Sequence, residues 1–347
     1  MSFPFLDVLH MIDDVPEKED SAFALESQCI EDPGLRTALE RARAAYIERQ
    51  TADQEKKTPS NLAASPLAEE AAQQLDFFSL DLIDYAFKDD PASMEAPLYS
   101  LSTKKDTSTW RWQSEDGNKK VEVTCNAEYG RATQHDKDIL IYCMSQLTAA
   151  INAGLDVSRT VQFTARDFLL STRRKDYGDD YDRLRDALNR LSGTRISTNV
   201  KTGGKISKHA EGFGIIDRWR VIEKSNTSGR MVAIEVTLSE WLWNGITAFE
   251  VLTIHPNYFK LRKPLERRLY EIARKHVGRQ GVWIINLEAL YRKSGSRSVL
   301  RNFKVDLNKI IATDSIPEYR YFIDDKDKVT VYAKDSKRIS KILQTDG

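Results

Sequence analysis

Two phrases separated by 119 positions rhyme: LRDALNRL at Leu184–Leu191 and FKVDLNKI at Phe303–Ile310. Each is a short helical pattern in which Leu-Asn is followed by a basic and then an apolar residue. In the first, Leu184, Ala187, Leu188 and Leu191 share one face. Arg183, Arg185, Asn189 and Arg190 lie on or beside the other, with Arg173, Arg174 and Lys175 in the preceding loop. In the second, Leu300, Phe303, Leu307, Ile310 and Ile311 form the apolar face, and the N-terminal turn supplies Ser296, Arg297, Ser298, Arg301 and Asn302, followed by Lys304. Arg and Asn make bidentate hydrogen bonds to guanine and adenine edges, and Lys and Arg neutralise phosphate. Such a helix docks its apolar face on its own domain and presents the other to the major groove. Asp182 and Asp186 run against close phosphate contact, but suit cytosine or a neighbouring Arg.

Other chemistries find less support. Nicking enzymes pair metal-binding histidines beside a tyrosine, whereas His10, His135, His209, His255 and His276 are isolated from one another. HVGR at His276–Arg279 matches the H-x-x-R of tyrosine recombinases, but Gly278 there reads as a helix C-cap. TGGK at Thr202–Lys205 lacks the GxxxxGK[ST] spacing and is predicted to be a hairpin turn. No HExxH or GxSxG occurs. The expectation is therefore a non-enzymatic protein with no metal and no cofactor.

The elements that must position these residues follow from periodicity. The segment HDKDILIYCMSQLTAAINAG predicts a helix with Ile139, Tyr142, Cys143, Leu147 and Ile151 on one face. After it come a strand TVQF, a helix TARDFLLS capped by Thr164, the basic loop, and the helix of the first phrase. Two or three β-rich runs follow around the Gly-Gly turn, where Lys201, Lys205, Lys208 and His209 suit phosphate or the minor groove. The alternating RMVAIEVTLS is predicted as a strand, and as an edge able to pair with a second copy. The order then recurs: a helix opened by Pro264, a strand VWII, a helix capped by Asn286, the helix of the second phrase, and a hairpin EYRYFID–DKD–KVTVYAKD. Helix, strand, helix, helix and hairpin is the order of a winged helix, occurring at about 136–223 and 263–334.

Charge divides the chain. Residues 1–100 hold 8 Lys+Arg against 21 Asp+Glu, leaving 44 against 31 for residues 101–347, although the formal net charge is +0. Residues 260–310 carry 14 basic and 4 acidic groups. An acidic arm on a basic body points to a polyanionic partner. The expected fold class is α+β: an acidic, partly disordered arm (1–100), a first winged-helix domain (101–240) and a second (241–347). The arm's TADQEKKTPSNLAASPLAEEAAQQ reads as a flexible linker. Cys29, Cys125 and Cys143 suggest neither a disulfide framework nor a zinc site. No signal peptide and no apolar run near 18 residues is present, so a cytoplasmic protein without membrane contact is expected.

The phrases SMEAPLYSLSTKKDT, HDKDILIYCMSQL, RTVQFTARDFL, LSGTRISTN, GRMVAIEVTLSEWLWN and KLRKPLERRLYEIARKH resemble the replication initiator protein A family of bacterial plasmids, over about residues 75–335. The resemblance implies binding to repeated sites in a plasmid origin, opening of an adjacent AT-rich duplex and recruitment of host replication proteins, among them the initiator and helicase. Initiators of this kind commonly repress their own promoter too. The family has no catalytic residues to transfer. Ahead of the matched stretch, QLDFF (Gln74, Leu75, Asp76, Phe77, Phe78) is similar to the pentapeptide that docks on the bacterial sliding clamp, departing from it at Phe77.

Overall fold

The computed structural model describes residues 86–175, 177–200, 206–224, 231–278 and 281–334. The clamp-like motif Gln74–Phe78 and the turn residues Lys201 and Lys205 lie outside these, as does the side chain of Lys208.

Residues that charge alone would group with the arm belong to the body. Strand β1 (Lys88–Asp89) is followed by helix α1 (Pro91–Glu95), which Asp90 caps by accepting from the Ser93 amide at 2.8 Å. Met94, Leu98 and Tyr99 are buried. Strands β2 (Trp110–Gln113) and β3 (Lys120–Cys125) form a hairpin.

The first of two similar units begins with helix α2 (Lys137–Asn152), buried on nearly every side from Lys137 to Ala150. Ile151, expected in the core, is only half-buried because the helix has by then reached the surface. Strand β4 (Thr160–Thr164) leads into α3 (Ala165–Ser171), where Thr164 accepts from the Asp167 amide as expected of its cap. Helix α4 (Gly178–Gly193) carries the first rhyming phrase. Strands β5 (Thr194–Val200), β6 (Ile206–Gly214), β7 (Ile216–Lys224) and β8 (Met231–Leu238) follow. The chain continues through α5 (Glu240–Thr247), which Ser239 caps, and β9 (Leu252–Thr253), which pairs with β1.

The second unit comprises α6 (Pro264–Val277), β10 (Val282–Asn286), α7 (Leu287–Ser294), α8 (Leu300–Thr313), β11 (Tyr319–Ile323) and β12 (Lys328–Ala333). Its sheet has the order β10-β12-β11, and the first unit's has the matching order β4-β8-β7. Both are antiparallel throughout.

The topology corrects two expectations. The β5–β6 hairpin, expected as the wing of the first unit, belongs to a separate sheet β2-β3-β5-β6. The counterpart of the second unit's hairpin is instead β7–β8, so the unit runs on to Leu238. RMVAIEVTLS is no edge: β8 is the middle strand, hydrogen-bonded to both β4 and β7. Ile234, Val236 and Leu238 are buried beneath it. A sequence alternates in the same way at the middle and at the edge of a sheet, so periodicity could not separate the two.

The two units meet through their first helices. Adjacent residues Lys137 and Asp138 of α2 face Glu271 and Arg267 of α6, with Lys137 Nζ 3.2 Å from Glu271 Oε1 and Arg267 Nη1 2.5 Å from Asp138 Oδ1. All four side chains are at most 3% exposed. Lys137 also reaches Asp89 at 2.7 Å. The hydrophobic core runs continuously from Met94 to Val331 across both units.

Candidate nucleic-acid interface

The rhyme is a packing rhyme. Leu184, Leu188 and Leu191 on α4, and Phe303, Leu307 and Ile310 on α8, are all buried at positions 119 apart. Leu300 departs from expectation. It is 38% exposed, because it opens the first turn, beyond the reach of the core.

The basic residues of the first helix divide into two groups. Arg190 grips Asp136 with Nε at 2.7 Å and Nη2 at 2.8 Å, and Asp136 is 4% exposed. Arg174 donates to His135 O at 2.7 Å and Asp138 Oδ2 at 2.8 Å and lies over the Phe168 ring. A fork satisfied by buried carboxylates is a structural clamp, so these two arginines fix α4 and its preceding loop to the start of α2. Arg183 and Arg185, by contrast, are 70% and 54% exposed and, among the described residues, pair with Asp180 and Asp182 within the same helix. Exposed pairs of this kind contribute little and leave the guanidinium available. Arg173 and Lys175 are exposed, and Asn189 is half-buried.

On α8, Arg301 and Asn302 are exposed and have no partner among the described residues. Lys304 pairs with Asp327 of the hairpin turn. Ser296 and Ser298 hydrogen-bond to each other at 3.0 Å, which shapes the loop before the helix. Arg297 reaches back to Asp106 at 3.2 Å and lies over the Trp110 ring at 5.4 Å. Asp106 also receives Arg131 at 2.9 Å. Burial raises its pKa, but Ser100, Ser108 and Arg131 outweigh this and hold the carboxyl well below its usual range. Asn286 occupies the N-cap of α7 without the side-chain hydrogen bond expected of it.

A groove of about 720 Å³ opens beside α4. Lys104, Lys105, Arg183 and Arg262 line it as exposed cations, above the buried or half-buried Arg131, Arg174, Arg190 and Arg267. Glu128, Asp136, Asp180 and Asp186 also line it, but Asp136 and Asp180 are occupied by arginines. His135 in its wall is pushed down to about 4 by burial and then by Arg267, so it is neutral at pH 7. Lys104, Lys105 and Arg262 lie in loops, where helical and strand periodicity carry no signal. The available signal was the Lys-Lys pair inside SLSTKKDT.

His276 is stacked on Trp283 at 4.4 Å and lies 3.2 Å from Glu95, while Arg279 is outside the described residues. Among the described residues, no three His, Cys, Asp or Glu side chains are placed to hold a metal ion. No described helix is long and apolar enough to cross a membrane.

The family model of Replication initiator protein A matches residues 88–321. A protein of Wigglesworthia glossinidia brevipalpis named "Putative replication protein" is 38% identical over 244 residues, covering 70% of this chain and 87% of its own. Among solved structures, domains 2 and 3 of RctB superpose with a TM-score of 0.51 at 17% identity, covering 71% of this chain and 98% of that one, which is a likeness of fold.

Proposed function

We propose a function from one premise: the chain belongs to the replication initiator protein A family and acts in the initiation of replication. On that premise it is a non-enzymatic, sequence-specific DNA-binding protein. It binds repeated sites in a plasmid origin, promotes opening of the neighbouring duplex and brings host replication proteins there. The two similar units are winged helices, with α4 and α8 as their major-groove helices. The observation that carries this reading is the outer face of α8, where Arg301 and Asn302 stand unpartnered among the described residues, opposite a buried Phe303, Leu307 and Ile310. Side chains held ready in this way suit base edges, whereas Lys104, Lys105, Arg183 and Arg262 suit phosphates.

The outer face of α4 is more acidic. Asp182 and Asp186 occupy the positions of Arg301 and Val305 on α8. This favours α8 as the main source of base discrimination, with the groove beside α4 following the backbone. Arg174 and Arg190 then support the interface from behind.

The test is a footprint of the full-length protein on the origin region of its own plasmid, with random competitor DNA at moderate salt. Regularly spaced protection over repeats is expected. Protection confined to the promoter would favour a repressor, and protection no better than on random DNA would reject the reading.

A further inference from the structure

Val305 sits at the centre of the outward face of α8. With about 100° between successive helical residues, it points roughly 190° from the middle of the buried stripe of Phe303, Leu307 and Ile310. It is 47% exposed, and Val299 and Leu300, where the helix begins, are 64% and 38% exposed. A β-branched residue brings no helix propensity to such a position. On α4 the equivalent place is held by the exposed Asp186, although both helices bury the same three positions. Packing therefore does not account for the valine.

Its neighbours are groups that hydrogen-bond to bases. Arg301, one turn before, and Asn308, one turn after, are exposed with no partner among the described residues, and Asn302 lies three positions before. A surface that these side chains approach also meets Val305, at the middle of the contact. Val305 has neither donor nor acceptor. The feature of a major-groove edge that an aliphatic group reads is the C5 methyl of thymine. We propose that Val305 is a specificity-determining residue that recognises a thymine methyl, with Arg301 and Asn308 reading the base pairs on either side. The proposal rests on α8 being a major-groove helix.

The full-length protein is first used to select its preferred sequence from a library of random duplexes. Each thymine of that sequence is then replaced in turn by deoxyuridine, which lacks only the methyl group. Wild-type protein is expected to lose about fourfold in affinity at one position, as for one buried methyl-sized group. V305A is expected to bind the thymine and deoxyuridine duplexes equally at that position. The substitution places a better helix former on the surface, so thermal unfolding is expected to match wild type. Loss of no methyl affecting wild type, or V305A keeping the wild-type discrimination, overturns the thymine contact while leaving α8 as a reading helix. A selection that returns no sequence removes the reading itself, and this proposal with it.

Discussion

Replacing Lys137 by Met tests the junction between the two units. Lys137 Nζ lies 2.7 Å from Asp89 Oδ2 and 3.2 Å from Glu271 Oε1, and all three side chains are 0% exposed. Glu271 also accepts from Tyr258 at 2.8 Å and lies 3.4 Å from Arg268 Nη1, so one carboxylate keeps partners when the lysine is removed. The other does not. Asp89 would be left as a buried charge against the remaining carboxylate, a situation that costs ~3–5 kcal/mol. Burial already pushes Asp89 up to about 7 from its ordinary 3.8, even with Lys137 beside it to lower the value. Without the lysine it rises further. A carboxyl whose folded pKa is raised contributes stability at low pH that is lost as pH rises through the folded value. The deficit of K137M is therefore smaller near about pH 6 than near about pH 9, where Asp89 has to ionise. Urea unfolding of wild type, K137M and the K137M/D89N double variant measures this directly. The double variant is expected to recover at least half of the loss, because it removes the stranded charge. A K137M deficit below about 1 kcal/mol at the higher pH, or one that D89N leaves unchanged, would refute the reasoning.

Further outcomes are expected. R301A should cost about 1–3 kcal/mol on the preferred sequence and relax selectivity at one base pair, whereas replacing Lys104 and Lys105 by Ala should weaken all duplexes alike and lower the salt slope by about one per lost phosphate contact, both read from titrations at several salt concentrations. G295A should destabilise by about 1–3 kcal/mol in thermal unfolding, because Gly295 has φ +75° and an added Cβ would meet Pro97 Cβ at 2.5 Å; unchanged stability would contradict the geometry. His135, pushed down to about 4 from 6.5, contributes stability that is full above about 6.5 and lost as pH falls towards about 4, so H135Q should flatten unfolding midpoints across that window. Replacing Leu75 and Phe78 by Ala should abolish pull-down by the bacterial sliding clamp and leave DNA binding intact; unchanged pull-down would sink the motif.

Much of the fold was legible because it is written in short-range periodicity. The helix opened by Pro264, the Thr164 cap and the shared stripes of α4 and α8 each depend on residues within a few positions of one another. The missed elements have a common cause. Helix α1 and strand β1 are too short for a periodic pattern, and β1 pairs with a distant strand, Lys88 with Thr253 and Asp89 with Leu252. Likewise β5 pairs with β3, Val121 with Thr198 and Cys125 with Thr194, a separation that no local alternation reveals. Lys137 and Asp138 look like the polar start of an amphipathic helix, yet both are buried, because α6 supplies opposite charges at the matching height.

The sequence by itself determined two repeated helical units, the basic character of the body and the family, since these depend on residue types in order. Tertiary structure decided which cations remain available for a ligand. Arg190 and Arg301 are alike in a helical pattern, but Asp136, 54 residues before Arg190, holds the first in a buried fork, while no described group holds the second. A guanidinium's role is set by what lies within about 3 Å of it, and that distance is fixed by the folded chain rather than by its neighbours in sequence.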